Sequence, residues 1–154
     1  GSVVSHVRFA SKVYSPLIPT GEVDILLGLE KLETLRWAHC VRDGGVIIMN
    51  TEERVPERID SKPVEYPKNI EAFLSDKGFA VMTIDAHAIA VELGNYRAAN
   101  MVLLGPMAAH TGISDDHWRA VMKEFLNPKI LDLNERAFEK GKQLAQQKTC
   151  TTST

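Results

Sequence analysis

The sequence has few cysteines, and those it has lie far apart. Its 154 residues include two cysteines, Cys40 and Cys150. An iron–sulfur cluster is held by several closely spaced thiolates, often in Cys-x-x-Cys runs, so this chain cannot ligate such a cluster alone. No secretory signal or long apolar span accompanies the two cysteines, and we therefore expect a cytoplasmic, reducing environment.

Motifs of self-sufficient catalytic or nucleotide-binding sites are also missing. The sequence contains no Gly-x-Gly-x-x-Gly, Walker-type loop, Gly-x-Ser-x-Gly elbow or His-Glu-x-x-His helix. The net charge is −2, and no cluster of lysines and arginines with interleaved aromatics is present. We therefore expect neither nucleic acid nor a membrane as a partner, and no complete active site within this chain.

What is present is the composition and pattern of one compact domain. The chain is 44% hydrophobic and 25% charged, which is ordinary for a globular protein with a substantial core. Apolar runs at 24–27, 46–49 and 80–84 are typical of buried strands, and helical periodicity follows each of them. The alternation predicts a three-layer α/β/α, Rossmann-like domain over residues 1–147 with a mostly parallel sheet, followed by a disordered tail at 148–154.

Glycine and proline punctuate the predicted elements. We expect the first helix to begin at Leu29 and to end through 43–45, which places Cys40 inside it as a packed thiol. Pro106 is expected to bend or divide an apolar helix over 97–109. A capping box at 132–135 predicts the start of the last helix.

The opening residues alternate between apolar and polar side chains from Val3 to Phe9. This alternation predicts a strand, paired in a hairpin-like way with the stretch that follows it. Because the strand pattern begins abruptly, we expect the segment that leads into it to be absent.

Four stretches together resemble a known family. They are Gly-Ser-Val-Val-Ser-His-Val-Arg at 1–8, Ser-Pro-Leu-Ile-Pro at 15–19, Gly-Glu-Val-Asp-Ile-Leu-Leu-Gly at 21–28, and Gly-Asn-Tyr-Arg-Ala-Ala-Asn at 94–100. In combination they resemble the gamma-type domain of the 2-oxoacid:ferredoxin oxidoreductases, and most of all the beta subunit of indolepyruvate oxidoreductase. Members of this family usually begin with a glycine-rich strand-to-helix segment. Since no counterpart is present, we expect the domain to lack its first βα segment and to be amino-terminally incomplete.

The resemblance implies an accessory part of an anaerobic enzyme complex. Such complexes decarboxylate a 2-oxoacid, here indolepyruvate or another aryl pyruvate, on thiamine diphosphate, pass electrons through iron–sulfur clusters to ferredoxin and release an acyl-coenzyme A. Thiamine diphosphate and the clusters belong to other domains or subunits, so this chain alone is expected to bind no cofactor and to be inactive. The implied partners are the catalytic thiamine- and cluster-bearing subunit, ferredoxin through the complex, and further copies of the chain.

Two other classes of function stay open from the residues alone. One is a free-standing nucleotide- or coenzyme A-binding module, and the other is a structural interaction domain. Calorimetric titration separates the first from the accessory subunit, because only the module would bind a nucleotide tightly by itself.

The first candidate site comprises Ser5, His6 and Arg8. In a strand, His6 and Arg8 project to the same face, where they could form a cationic patch for a carboxylate or phosphate. The alternative is that these residues make polar contacts with the leading segment or a partner subunit.

The second candidate site comprises Asn95, Arg97 and Asn100, for a substrate, coenzyme A or a subunit interface. Arg97 can bind a carboxylate or phosphate with both ends of its guanidinium, and Asn100 follows three residues later, near the same helical face. In the alternative, Asn95 caps the second of two helices and Arg97 pairs with Glu92.

No catalytic residue and no metal site are predicted. Asp85 and His87 follow a strand, but Asp85 is better explained as a helix N-cap, and Glu92 is the only nearby third ligand. His39 and Cys40 are neighbours that should not face each other on a helix, so we expect no nucleophile–base pair there.

Overall fold

The fold is built around a parallel sheet. The computed structural model describes residues 3–55 and 65–151. Within these ranges the strands are β1 (Val23–Gly28), β2 (Val41–Asn50) and β3 (Ala80–Ile84), ordered β1-β2-β3 with both pairings parallel. The predicted α/β class with a parallel sheet is therefore confirmed.

Helices follow each strand and dominate the carboxyl-terminal half. Those in the described part of the chain are α1 (Lys31–Trp37), α2 (Ile70–Asp76), α3 (Ala86–Glu92), α4 (Ala99–Ala109), α5 (Asp115–Phe125) and α6 (Pro128–Thr151). Short 3-10 turns at Ala38–Cys40 and Tyr96–Ala98 precede β2 and α4. No helix among these combines the length and apolar character needed to cross a membrane.

Two apolar clusters lie on opposite faces of the sheet, because successive strand side chains point to opposite sides. On one face, Ile48 packs with α3, α4 and α6. On the other face, its neighbours Ile47 and Met49 pack with residues of α1 and α2. All three of these β2 side chains are fully buried, and the arrangement confirms the predicted three layers.

The tightest packing in the helical layer joins α4 to α6. A Cβ atom built on Gly105 would lie 2.2 Å from the Phe138 carbonyl oxygen, and one built on Gly141 would lie 1.9 Å from the Val102 carbonyl oxygen. Neither position therefore has room for a side chain, and the two helix backbones are in direct contact.

Pro106 lies inside α4, which continues through it as one helix, so of the two predicted effects, bending or division, division does not occur. Proline has no N–H, so the carbonyl of Val102, four residues earlier, lacks its usual helical donor. That carbonyl instead faces Gly141 of α6, where the absence of a side chain allows a close Cα–H···O contact. The helix continues because packing against α6 supports the turn that proline weakens.

The first helix is shorter than expected. It begins at Lys31 and ends at Trp37, and β2 already starts at Val41. Gly44 has φ +73°, and the pairing with β1 changes register between Val23 and Ile25. The glycines predicted to end a helix therefore accommodate a β-bulge instead.

The opening strand predicted over Val3–Phe9 is absent, because residues 3–22 contain no strand. The alternation is present in the sequence, but no neighbouring strand in the described sheet pairs with this stretch. A lone strand leaves its backbone groups without partners and is not stable.

The last helix also differs from the prediction at both ends. It begins at Pro128 rather than at the 132–135 capping box, since the Asn127 side-chain oxygen accepts a 2.9 Å hydrogen bond from the Lys129 N–H, and proline suits the first helical turn. It continues to Thr151, past Gln147, where we expected disorder to begin. No glycine or proline interrupts 142–151, and residues 152–154 lie outside the described ranges.

Replacing Gly141 with alanine is predicted to destabilise the fold. Alanine gains about 1 kcal/mol in intrinsic helix propensity. The clash with the Val102 carbonyl costs more, because overpacking typically costs about 1–3 kcal/mol and this contact is backbone to backbone. Denaturant unfolding of Gly141→Ala should show a net loss. The exposed neighbour Lys140 provides the control, since Lys140→Ala should change stability by less than about 0.5 kcal/mol, and equal stabilities would contradict the proposed packing.

Candidate functional site

The carboxyl ends of the strands lie at one edge of the sheet, where α/β proteins commonly bind ligands. Asn50 ends β2 and is 4% exposed. Its Nδ2 atom donates to the Leu29 carbonyl at 3.1 Å, and its Oδ1 atom accepts from the Ala86 N–H at 3.2 Å. Gly28 and Asn50 end neighbouring strands, and the Asn50 side chain connects the loop after β1 to the start of α3.

Gly28 lets α1 approach this edge closely. A Cβ atom built on Gly28 would lie 1.7 Å from the Thr34 hydroxyl oxygen. That hydroxyl is buried and donates to the Glu30 carbonyl at 2.7 Å. The short loop after β1 is therefore packed tightly, and it holds Glu30 at the amino-terminal end of α1.

Glu30 is a buried carboxylate, 8% exposed, at the centre of a hydrogen-bond network. Its Oε2 atom accepts from the Glu33 N–H at 2.8 Å, which makes Glu30 the N-cap of α1. Its Oε1 atom accepts from the Arg54 N–H at 3.1 Å and from the Tyr66 hydroxyl. The Tyr66 oxygen in turn accepts from the Leu32 N–H at 2.9 Å.

The network shifts the titration of both side chains. Burial acts to raise the pKa of Glu30, but the hydrogen bonds from Tyr66 and the Glu33 and Arg54 N–H groups together lower that pKa below its ordinary value. Burial and the neighbouring Glu30 raise the pKa of the Tyr66 hydroxyl well above its ordinary value. Glu30 is thus ionised and Tyr66 protonated at neutral pH.

The arrangement serves to join segments rather than to transfer protons. Both carboxylate oxygens of Glu30 are occupied by donors from the chain itself, and Asn50 is likewise engaged. The carboxylate connects α1 to residues 52–54 after β2 and to Tyr66 before α2. We call Glu30, Tyr66 and these backbone donors the Glu30 lock.

The Glu30 lock is not among the predicted sites. The first helix was expected to begin at Leu29 and so to include Glu30, whereas it begins at Lys31 and Glu30 is buried. The spacing of Glu30 from Glu33, immediately after the strand-ending Gly28, fits an N-cap and was the available signal. No sequence pattern identifies Tyr66 as a partner of Glu30, because Tyr66 lies 36 residues from Glu30 in a charged, proline-rich stretch.

The first predicted site folds back on its own chain. We call residues 3–18 the opening arm. The His6 Nδ1 atom accepts from the Ile18 N–H at 3.2 Å, and the Arg8 guanidinium donates to the Leu17 carbonyl at 3.0 Å. His6 and Arg8 line one shallow pocket, whereas Ser5 is exposed and does not line it.

The second predicted site is only partly assembled. The Asn95 Oδ1 atom accepts from the Arg97 N–H at 3.0 Å, so Asn95 caps the turn that leads into α4. Arg97 does not pair with Glu92 but lies against the Tyr96 ring. Asn100 is exposed in the first turn of α4, and no hydrogen bond or ion pair within the described ranges joins this site to the opening arm.

The prediction for Asp85 is confirmed, whereas the prediction for His39 and Cys40 is wrong. The Asp85 Oδ1 atom accepts from the Ala88 N–H at 2.9 Å, which confirms the N-cap of α3. His39 and Cys40 do face each other, with Nε2 3.4 Å from Sγ, because they lie in a 3-10 turn rather than an α-helix. Cys40 is half-buried, not fully packed. Residues 3–55 and 65–151 contain no group of three His, Cys, Asp or Glu suited to a metal ion.

Removing the Tyr66 hydroxyl is predicted to destabilise the chain. In Tyr66→Phe, the buried Glu30 carboxylate loses a donor and the Leu32 N–H loses its acceptor, in a partly buried setting. We expect a loss of about 1–3 kcal/mol in the free energy of unfolding, measured by denaturant titration. Tyr14 is 84% exposed, and Tyr14→Phe should leave that free energy unchanged; a similar effect of both substitutions would argue against the lock.

The contribution of Glu30 is predicted to depend on pH. Because its pKa is lowered in the folded state, Glu30 stabilises the fold above its unfolded pKa of about 4.3, and this stabilisation is lost as pH falls through the folded pKa. The gap in unfolding free energy between the wild type and Glu30→Gln should therefore be largest near about pH 7 and should shrink at about pH 3. The exposed Glu124 is the control, since Glu124→Gln should show no such pH-dependent gap.

Comparisons with known proteins identify the family. The model of the family described as pyruvate ferredoxin/flavodoxin oxidoreductase matches residues 1–144. The chain is 32% identical to the indolepyruvate oxidoreductase subunit IorB of Thermococcus kodakarensis over 96% of its own length and 75% of that protein. It is 30% identical to the corresponding subunit of Pyrococcus horikoshii, with the same coverage.

Solved structures share the fold. The gamma subunit of a keto/oxoacid ferredoxin oxidoreductase from Geobacter sulfurreducens superposes with a TM-score of 0.60 at 23% identity, over 82% of this chain and 66% of that one. A 2-oxoglutarate:ferredoxin oxidoreductase from Magnetococcus marinus gives a TM-score of 0.61 at 23% identity, over 88% of this chain and 21% of that one. The family match covers nearly the whole chain, and the protein is therefore a gamma-type domain that belongs to the pyruvate ferredoxin/flavodoxin oxidoreductase family.

Proposed function

We propose that this chain is the accessory, gamma-type subunit of a ferredoxin-dependent 2-oxoacid oxidoreductase of the indolepyruvate type, acting in the cytoplasm. The observation that carries the proposal is its 30–32% identity to the indolepyruvate oxidoreductase subunits of four organisms, over 92–96% of the chain. Subunits of pyruvate and ketoisovalerate oxidoreductases are 25–32% identical, but each match covers less of this chain or a smaller share of the relative.

The proposed complex oxidises an aryl pyruvate such as indolepyruvate. The carboxyl group leaves as carbon dioxide, the remaining acyl group forms a thioester with coenzyme A, and the electrons pass to ferredoxin. Thiamine diphosphate and iron–sulfur clusters supply this chemistry when bound. The solved Magnetococcus protein holds 2-oxoglutarate, coenzyme A and succinyl-CoA.

The residues of this chain do not fit those cofactors. Two cysteines cannot supply the thiolates of a cluster. A diphosphate-bound Mg²⁺ needs oxygen ligands, and the described residues offer no grouping of acidic side chains that could hold an ion. The clusters and the thiamine therefore belong to a partner subunit in this proposal, and the chain contributes contacts.

Its surface supports a role in contact. Seven large apolar side chains of the opening arm are 42–89% exposed, which is unusual for so short a stretch: Val3, Val4, Val7, Phe9, Val13, Tyr14 and Leu17. His6 and Arg8 hold the shape of this arm, and Ser5 lies exposed on it. We propose that these three residues and the group of Asn95, Arg97 and Asn100 lie at subunit interfaces.

Co-expression with a catalytic subunit tests the proposal. The chain should co-purify with a thiamine-dependent, iron–sulfur subunit of the same organism, and the complex should reduce ferredoxin when given indolepyruvate and coenzyme A. Pyruvate and 2-ketoisovalerate serve as comparison substrates and should be slower. The isolated chain should show no such activity.

Two outcomes would overturn the proposal. One is a stable monomer that associates with no thiamine-dependent subunit. The other is tight binding of coenzyme A or a nucleotide by the isolated chain in calorimetry, which would indicate a free-standing binding module.

A further inference from the structure

An exposed aromatic and apolar surface lies where α3 meets the turn before α4. His87 and Val91 are one helical turn apart on α3, so they share a face. The Tyr96 ring packs beside His87, with ring centroids 6.0 Å apart. Val91 and Tyr96 are each 53% exposed, although Ala90 and Ala98 beside them are buried. We call His87, Val91, Tyr96 and Arg97 the Tyr96 surface.

Arg97 is held in place on this surface with its binding end free. Its Nε atom donates to the Tyr96 hydroxyl at 3.4 Å, and its guanidinium carbon lies 5.8 Å from the Tyr96 ring centre. Within the described ranges, the two terminal nitrogens make no hydrogen bond or ion pair, and Glu92 is not in contact with them. A planar guanidinium with both terminal nitrogens available can bind a carboxylate in a bidentate way.

The backbone under the surface is rigid. Asn95 caps the turn through the Arg97 N–H, and the Asn95 N–H donates to the Ala90 carbonyl at 3.0 Å, which ties the turn to α3. Ala98 is 2% exposed and belongs to the apolar cluster with α4. A surface that is already ordered loses little conformational entropy on binding.

These observations fit a protein partner with an acidic side chain. Exposed tyrosine and arginine, next to an apolar residue, are the composition of binding hot spots in protein interfaces. The guanidinium of Arg97 is complementary to a negatively charged group. Val91 and Tyr96 present apolar surface that a protein partner can bury and a small anion cannot.

We infer that the Tyr96 surface binds the catalytic subunit, and that Arg97 makes a bidentate salt bridge to an aspartate or glutamate of that subunit. This inference rests on the proposed function and adds the location and the chemistry of the contact. Tyr96 orients the guanidinium, while Val91 and the two rings pack against apolar side chains around the acidic residue.

Affinity measurements with the intact partner subunit test the inference. Arg97→Gln should weaken binding to the catalytic subunit by about tenfold or more. Arg97→Lys keeps the charge but not the bidentate geometry, so its affinity should lie between those of the wild type and Arg97→Gln. The dissociation constant of the wild type should rise more steeply with salt than that of Arg97→Gln, because only the wild type has the Arg97 ion pair that salt screens.

Arg136→Gln is the matched control. Arg136 is also an exposed arginine, but it pairs with Asp132 within α6 and is not part of the Tyr96 surface. Its loss removes the same charge from the chain and should change binding by less than about twofold. Both glutamine variants should unfold at the wild-type temperature, which separates an effect on binding from an effect on folding.

The outcomes separate this inference from the proposed function. If the wild type binds the catalytic subunit and Arg97→Gln binds equally well, or if both glutamine variants weaken binding alike, the inference is wrong and the proposed function stands. If the wild type does not bind, both are wrong. If calorimetry shows that coenzyme A binds the wild type but not Arg97→Gln, the surface recognises a phosphate instead, and the protein contact is rejected.

Discussion

The close contact between α4 and α6 is the constraint on which the helical layer depends. Gly105 and Gly141 leave no room for side chains between the two backbones, and Gly141 faces the carbonyl that Pro106 leaves without a donor. A proline within a helix ordinarily costs about 3 kcal/mol. Here the Val102 carbonyl, which lacks a helical donor, lies opposite Gly141, which has no side chain. The turn that proline weakens in α4 therefore packs where α6 leaves room for it. The placement of α4 fixes the turn before it and, through that turn, α3.

The opposite layer packs on Ile47 and Met49, and polar contacts also join its segments. The Glu30 lock ties α1, the residues after β2 and the approach to α2 into one unit, and Asn50 connects that edge to α3. A buried carboxylate is stable only when its oxygens are satisfied, and here the chain satisfies both. The edge of the sheet where related architectures place ligands is thus occupied by structural hydrogen bonds. Glu30, Asn50 and Asp85 at this edge each use side-chain oxygen atoms in hydrogen bonds to backbone N–H groups of the same chain.

The sequence predicts the strands and their layers well, because apolar runs report burial directly. It predicts element ends poorly. Gly44 and Gly45 are predicted to end a helix, and Pro106 is predicted to bend or divide one. The structure uses the two glycines for a bulge and places Pro106 at a helix–helix contact. These residues indicate an unusual backbone, but the tertiary neighbour decides which kind. Glu30 was recognisable from local spacing, whereas its partner Tyr66 joins it across 36 residues and could only be found in three dimensions.

The polar residues of the two predicted sites differ in the contacts they make. In the opening arm, the His6 Nδ1 atom and one terminal nitrogen of Arg8 bind backbone groups of the same arm, and seven large apolar side chains are exposed. At the Tyr96 surface, the side-chain hydrogen bond of Arg97 involves only its inner nitrogen, and the outer two nitrogens have no partner in the part of the chain that the structure describes. An apolar arm shaped by exposed hydrogen bonds can adapt to a partner, while an arginine fixed on a rigid turn can specify one. In the proposed complex, Arg97 would recognise a charged side chain of the partner, and the opening arm would supply apolar contact area.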